Sequence, residues 1–177
     1  MTVPPSVTRL AQRCFGKPII RNALRGELVE EIVAMALEPE WMLCAGDWAA
    51  FDLKQANGPL RIQVKQSAAL QSWSKADARP PKPCFSISQK TGRWEDGDRW
   101  VEEVSRNAEI YIFGWHDRAD EGADHREPDQ WQFFVVPERD MPAQKSLSLS
   151  TLRKLAGPVT FGELAQRVSD VSKTITG

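Results

Sequence analysis

The stretch from residue 50 to residue 67 most restricts how this chain can fold, because its pattern fits two strands joined by a tight turn. Apolar Leu60, Ile62 and Val64 alternate with polar residues, and this period of two places alternate side chains on opposite faces of a sheet. Asn57-Gly58 tolerates positive φ and favours a hairpin turn. The proline that follows cannot donate a ladder hydrogen bond, so we expect the loop to run from residue 56 to residue 59.

The expected register of this hairpin brings three polar side chains together. A symmetric loop pairs Asp52 with Gln63, and Lys65 lies two residues further along on the same face. An acid, an amide and an ammonium group then share one surface patch. A purely structural hairpin does not need that patch, although an Asp and a Lys also form ordinary surface pairs.

Composition indicates a globular chain in a reducing compartment. Hydrophobic residues make up 41% of the 177 residues, and this length suits one domain with a real core. There is no apolar run long enough to span a bilayer, and the N-terminus lacks the features of a signal peptide. The three cysteines have no close spacing, so neither a disulfide framework nor a zinc site is implied and the cytoplasm is favoured.

Charge is unevenly distributed although the formal net charge is only -1. Residues 1–26 contain basic side chains and no acid, whereas acids crowd into residues 117–129. The basic residues are Arg9, Arg13, Lys17, Arg21 and Arg25. A local basic patch can bind phosphates even when the whole chain is near neutral, and a solvated helix face explains the same pattern equally well.

The remaining pattern predicts a mixed α/β (α+β) fold, with a central sheet of about five strands flanked by helices. Strands are expected at 41–45, 84–88, 108–115 and 131–136 in addition to the hairpin, the last two pairing with each other. Helices are expected at 6–14, from Pro18 to residue 37, at 98–107, at 151–156 with Ser150 as cap, and after a capping box at Thr160 and Glu163. We expect residues 1–140 to form the main domain, with 141–177 as a helical extension packed on it.

The tryptophans are expected in two different environments. Trp100, Trp115 and Trp131 fall in regular elements and are expected in the core. Trp73 lies in a loop beside Lys75, where it could stack on a base, although covering the edge of the core is the commoner role.

The two histidines are expected in a solvated loop. His116 and His125 lie in or beside the acidic stretch, and their spacing matches no compact metal-binding motif. A nucleophilic triad is unsupported, and Gly-rich phosphate-binding loops are absent from the sequence.

Glu30, Asp52 and the segment Gln63-Val64-Lys65 together resemble the PD-(D/E)xK nuclease superfamily, which has the restriction-endonuclease-like fold. Glu30 ends a Gly-x-x-x-Glu segment of the kind carried by small stand-alone, Holliday-junction-resolvase-like members. Order, spacing and strand–turn–strand context agree over residues 25–136. Phe51 stands where the motif has Pro, and Gln63 where it has Glu or Asp, which removes one negative charge from the metal site.

The resemblance implies a metal-dependent nuclease that hydrolyses phosphodiester bonds in DNA with Mg²⁺ or Mn²⁺. Asp52 would be the central metal ligand, beside the side-chain carbonyl of Gln63 and the backbone carbonyl of Val64. Glu30 would hold a second metal or its waters. Lys65 would stabilise the charge that develops on the phosphate or orient the attacking water.

DNA is the expected partner, while RNA and a homodimer remain open and a membrane is excluded. The expected nucleic-acid contacts combine the basic N-terminal segment with residues that follow Lys65. They are Arg9, Arg13, Arg21, Arg25, Gln66, Ser67, Trp73 and Lys75.

Two alternatives stay open at this point. One is a catalytically weak or inactive nucleic-acid-binding member of the same fold, with a metal site weakened by Gln63. The other is a protein-interaction or inhibitor module whose acidic stretch at 117–129 imitates phosphate.

Overall fold

The computed structural model describes residues 2–44, 49–74, 82–95 and 99–177. The helices are α1 (Pro5–Phe15), α2 (Asn22–Leu37), α3 (Leu149–Leu155) and α4 (Leu164–Thr176). The strands are β1 (Trp41–Leu43), β2 (Leu53–Gln55), β3 (Arg61–Ala68), β4 (Cys84–Ser86), β5 (Arg93–Glu95), β6 (Arg99–Val101), β7 (Ile110–His116), β8 (Trp131–Pro137) and β9 (Ser146–Ser148). Short 3-10 turns lie at Pro128–Gln130, Glu138–Asp140 and Phe161–Glu163.

A mixed five-stranded sheet in the order β1-β2-β3-β7-β8 forms the centre of the fold and confirms the expected fold class. The hairpin has the predicted register, since Leu53 pairs with Ile62 and Lys54 with Arg61. Strand β3 then pairs in parallel with β7, and β7 pairs with β8 in the predicted antiparallel arrangement. The parallel pairing of β3 with β7 requires a long connection between the two strands, and residues 69–109 form it.

Two apolar layers cover the two faces of this sheet. On one face, α2 and α4 pack over Ile62, Val64, Ile110 and Ile112. On the other face, a second cluster is built around Phe85, Phe113, Phe134, Leu147 and Leu152. Strand β7 is buried at every position because both layers meet on it.

The helices α3 and α4 belong to the predicted extension at 141–177, and both contribute to these two layers. The predicted capping box at Thr160 and Glu163 is confirmed, and it leads through a 3-10 turn into α4. Helix α3 is capped two residues earlier than predicted, because Ser148 rather than Ser150 accepts from the N–H of Thr151 at 3.2 Å. The domain boundary near residue 140 stays a prediction.

Helix α2 begins later than the sequence indicates. The prediction placed Pro18 at its start, yet the helix begins at Asn22. The backbone before it is held by a distant residue, since the carbonyl of Pro18 accepts from the N–H of His125 at 2.9 Å. The N–H of Ile20 in turn donates to Nδ1 of His125 at 3.0 Å, so these groups are not available to a helix.

The helix predicted at 98–107 is wrong. Residues 99–101 form strand β6, which pairs with β5 as a two-stranded ribbon. Trp100 is 50% exposed and packs edge-on against Trp94 with 5.5 Å between ring centroids, so its expected core position is wrong as well. The helical period there depended on three apolar residues, and the β-forming preference of Trp and Val outweighs so short a pattern. Among the described residues, none of the helices has the length and apolarity needed to cross a bilayer.

Close contact between α2 and the sheet leads to a prediction at Gly114. A methyl group there would lie 3.2 Å from Cγ1 of Val29 and 3.3 Å from Cε3 of Trp131. We expect Gly114→Ala to lower the free energy of unfolding by about 1–3 kcal/mol, because two buried side chains must move. Urea denaturation followed by tryptophan fluorescence measures this change.

The matched control is Gly162→Ala, because a methyl group at Gly162 meets nothing within 4 Å. Its effect should stay within about 0.5 kcal/mol. Equal losses in the two variants would contradict the close approach of α2 to β7.

Candidate active site

Asp52 lies where the short strand β2 meets the longer strand β3. Its backbone N–H donates to the carbonyl of Ile62 at 2.9 Å, and its carbonyl accepts from the N–H of Cys44 at 2.8 Å. Its side-chain Oδ2 accepts from the backbone N–H of Val64 at 2.6 Å. The carboxylate therefore takes the place of a backbone carbonyl at the end of the ladder. Within the part of the chain that the structure describes, Oδ1 accepts no hydrogen bond and is left for a ligand.

Gln63 donates its side-chain amide N–H to the same oxygen, Oδ2 of Asp52. The two residues are thus the neighbours that the hairpin register predicts. Because an ionised carboxylate only accepts hydrogen bonds, the amide nitrogen of Gln63 faces Asp52 and the amide oxygen turns away. Gln63 orients the carboxylate in this arrangement, and its role as a metal ligand stays a prediction.

Phe51, the residue at the Pro position of the motif, packs against the second apolar cluster. The guanidinium carbon of Arg61 lies 5.5 Å from the centroid of its ring. An apolar residue here anchors the chain next to Asp52, which gives this departure from the motif a structural role.

Glu30 lies on α2 and is half-buried. The pKa of Glu30 is raised to about 7, first by burial and then by the negative charge of Asp52, while Lys65 acts in the opposite direction. Glu30 therefore lies within the electrostatic field of both Asp52 and Lys65. The three side chains come from α2, from the residue directly before β2 and from β3.

Burial also shifts the pKa values of the other two residues of this group, Asp52 and Lys65. Burial raises the pKa of Asp52, while Lys65, the Val64 N–H and the Gln63 amide oppose the change. Burial lowers the pKa of Lys65, and Asp52 is the strongest influence in the other direction. Two partly desolvated acids thus lie near Lys65, and the positive charge of Lys90 also acts on that lysine by lowering its pKa.

A divalent cation of the magnesium type fits this donor set. Asp52 and Glu30 offer hard carboxylate oxygens, and burial, the main cause of their raised pKa values, leaves the ionised forms poorly solvated. Within the described ranges, no cluster of three or more His, Cys, Asp or Glu side chains is arranged to hold a metal. A cation here would depend on water and phosphate oxygens for its remaining ligands, as Mg²⁺ commonly does.

The predicted nucleic-acid contacts are spread over several environments. Arg9, Arg13 and Arg21 are exposed on or after α1, and Trp73 is 65% exposed. The half-buried Gln66 and Ser67 lie in β3, and Lys75 lies outside the described residues.

Arg25 differs from the other basic residues because it is only 1% exposed. Its guanidinium donates to side-chain oxygens of Gln66 at 2.7 Å, Asn22 at 2.9 Å and Gln71 at 2.9 Å. The sequence signal for this contact was absent, since Gln66 and Gln71 are more than forty positions away.

His116 and His125 are completely buried, so the expectation of a solvated loop is wrong for both. Their rings pack edge-on with 4.9 Å between centroids, and Trp131 packs against them. Nε2 of His116 contacts Oε1 of Gln130 at 3.1 Å. Burial lowers the pKa of both rings, to about 4 for His125, where the charge of Arg25 adds to the effect.

No family model matches the chain, and no curated protein matches it either. Among solved structures, the chain is similar to "The structure of a bacterial homing endonuclease: I-Ssp6803I", with 18% sequence identity and a TM-score of 0.40. The match covers 72% of this chain and 77% of that chain. A likeness of this degree establishes neither a shared fold family nor an activity.

The raised pKa of Glu30 leads to a prediction about stability and pH. Unfolded Glu30 ionises near pH 4.5 and folded Glu30 near 7, so the folded state binds more protons in between and its stability falls as pH rises. Glu30→Gln removes this loss. We expect it to raise the free energy of unfolding at pH 8 by about 1–2 kcal/mol, after allowance for solvent screening, with little gain at pH 4.5.

Urea denaturation at a series of pH values with a chelator present measures this effect. Glu31→Gln is the matched control, because Glu31 is exposed on the same helix and its substitution should change the free energy of unfolding by no more than about 0.5 kcal/mol. A parallel pH profile for wild type and Glu30→Gln would contradict the desolvated position of Glu30.

The two hydrogen bonds accepted by Asp52 predict different outcomes for two substitutions. Asp52→Asn keeps an oxygen that can accept from the Val64 N–H, whereas Asp52→Ala leaves that N–H without its partner. We expect Asp52→Ala to be less stable than Asp52→Asn by about 1–3 kcal/mol in urea denaturation at pH 7. Equal stability would show that Asp52 does not complete the ladder.

Proposed function

We propose that this protein is a metal-dependent nuclease of the PD-(D/E)xK class that hydrolyses phosphodiester bonds in DNA. The observation that carries the proposal is the convergence of Glu30, Asp52 and Lys65 from three separate elements, with Gln63 bonded to Asp52. A structural hairpin has no need for two partly desolvated acids and a lysine at one place. Metal-dependent phosphodiester hydrolysis can use this combination, because acids hold the cation and a lysine stabilises charge on the phosphate.

The acids would hold the cation. Oδ1 of Asp52 and the carboxylate of Glu30 supply hard oxygen ligands, and the backbone carbonyl of Val64 is a further candidate. Bound Mg²⁺ or Mn²⁺ supplies neutralisation of phosphate charge and a more acidic water. The hydrogen bonds from Gln63 and Val64 keep the Asp52 carboxylate in one orientation.

Lys65 is the cationic side chain of the site. It lies on the same strand as Gln63, two residues further along, and it is half-buried. An ammonium group with little water around it binds developing negative charge more strongly than an exposed one. In the proposed reaction, Lys65 stabilises the charge on the phosphate or orients the attacking water.

The DNA surface would extend from this site to the basic N-terminal segment. Arg9, Arg13 and Arg21 are exposed and suited to phosphate contacts, whose affinity falls as salt concentration rises. Trp73 presents an exposed aromatic ring that suits stacking on a base.

A second candidate function is DNA binding without efficient cleavage. The specific observation in its favour is the neutral side chain of Gln63, whose amide N–H donates to the carboxylate of Asp52. A Glu or Asp at this position would instead offer the metal a negatively charged oxygen. A site with one negative charge fewer binds a divalent cation less strongly. This candidate predicts salt-sensitive DNA binding and no cleavage at any concentration of Mg²⁺ or Mn²⁺.

A cleavage assay on plasmid, branched and single-stranded DNA, with RNA in parallel, tests the leading proposal. We expect Mg²⁺- or Mn²⁺-dependent cleavage of DNA, and a loss of about 100-fold or more in rate for Asp52→Asn and Lys65→Met. Asp52→Asn is preferred to the alanine variant because it keeps the acceptor for Val64. Activity that survives in both variants would overturn this assignment of the site.

Two further variants provide a control for Lys65 and a test of Gln63. Lys54→Met is the matched control for Lys65, since Lys54 is exposed on the neighbouring strand, and it should cleave at close to the wild-type rate. Gln63→Glu should lower the Mn²⁺ concentration needed for half-maximal cleavage. If wild type binds DNA without cleaving it and Gln63→Glu cleaves, the second candidate function is correct.

A further inference from the structure

Arg25 is a buried cation whose hydrogen-bond partners are neutral. Three side-chain amide oxygens, from Asn22, Gln66 and Gln71, surround its guanidinium at 2.7–2.9 Å. Its Nη1 group is buried and has no hydrogen-bond partner among the described residues. Burial lowers the pKa of Arg25 to about 10, which leaves it charged at neutral pH.

A buried charge without an acidic partner is a poor way to stabilise a fold. Desolvation of an ion costs several kcal/mol, and apolar residues of similar size often serve stability as well or better. The arrangement has a different benefit, because a planar guanidinium with several fixed donors holds its acceptors in one geometry. The geometry of the partners therefore indicates what Arg25 does.

The partners of Arg25 join the two elements that carry the candidate active site. Asn22 and Arg25 form the first turn of α2, and Gln66 lies in β3 directly after Lys65. Gln66 strengthens the connection by donating to Oδ1 of Asn22 at 3.2 Å. Glu30 follows Arg25 on the same helix, about 7–8 Å further along its axis.

The third partner extends the connection to the segment after β3. Gln71 donates its side-chain amide to the carbonyl of Ala68 at 2.7 Å, and its backbone N–H donates to Oγ of Ser74 at 3.0 Å. These bonds define a tight turn that carries the exposed Trp73. One guanidinium thus contacts the start of α2, the end of β3 and this turn.

His125 supports the arrangement through the chain before α2 and remains neutral at pH 7, since burial lowers its pKa to about 4. Its Nδ1 accepts from the N–H of Ile20, so the proton of the neutral ring is on Nε2. This bond fixes the chain that enters α2. A neutral ring next to Arg25 avoids a second buried positive charge.

We propose that Arg25 is a positioning residue that fixes α2, the helix of Glu30, against β3, the strand of Gln63 and Lys65. It acts through Gln66 and Asn22 and does not touch the substrate, a different role from the nucleic-acid contact expected from the sequence. The catalytic consequence rests on the proposed nuclease function. The structural consequence can be measured without it.

The direct test is the carboxyl pKa of Glu30, measured by carbon-13 NMR on the full chain without metal or DNA. In wild type we expect a pKa near 7. In Arg25→Met and in Gln66→Leu we expect it to fall by about one unit or more, because Glu30 moves away from Asp52 and into water. Arg25→Lys should shift it in the same direction, because an ammonium group cannot reproduce the forked contacts.

Val168→Ala is the control for general loss of stability. Val168 is fully buried on α4 and lies outside the contacts of Arg25, so this variant should leave the pKa of Glu30 unchanged. An unchanged Glu30 pKa in folded Arg25→Met would overturn the proposal. If Arg25→Met does not fold, an unchanged pKa in Gln66→Leu would overturn it as well.

Kinetics then separate this inference from the proposed function. If wild type does not cleave DNA, the nuclease proposal fails while the NMR result still decides the role of Arg25. If wild type cleaves, Arg25→Met should lower kcat about tenfold or more with little change in the KM for DNA. A rise in KM at constant kcat would indicate a direct contact between Arg25 and DNA and would overturn the positioning role.

Discussion

The parallel pairing of β3 with β7 is the interaction on which the rest of the structure depends. It runs from Ile62 opposite Ile110 to Ala68 opposite His116, and it creates a central strand that must be covered on both faces. Helices α2 and α4 cover one face, and a Phe-rich cluster with α3 covers the other. The outer edge of β3 is left with only the short strand β2, and the candidate active site forms where that pairing ends.

Burial and charge oppose each other at this site. Glu30 and Asp52 lie close enough to affect each other, and burial raises the pKa of both. Lys65 compensates only part of the charge. In the proposed function, this negative field would favour a divalent cation and, through it, a phosphate. The same physical imbalance that lowers stability at high pH would therefore be useful for phosphodiester hydrolysis.

A buried polar centre connects distant parts of the chain to this site. His125 comes from the segment between β7 and β8, and it holds the residues that enter α2. Arg25 then holds α2 to β3 through Gln66. Hydrogen bonds depend on direction as well as distance, and for that reason buried polar groups specify geometry more narrowly than apolar contacts do.

The sequence by itself determined the features that depend on near neighbours. The alternation around Val64 and the turn at Asn57-Gly58 predicted the register that places Asp52 beside Gln63, and the two apolar runs predicted β7 and β8. Tertiary structure decided the burial of His116 and His125, the later start of α2 and the position of Arg25. Each of these depends on a partner far away in the chain, and local periodicity contains no information about such partners. The helix prediction around Trp100 is wrong for a related reason. An apolar pattern of three residues is too short to distinguish a helix from a strand.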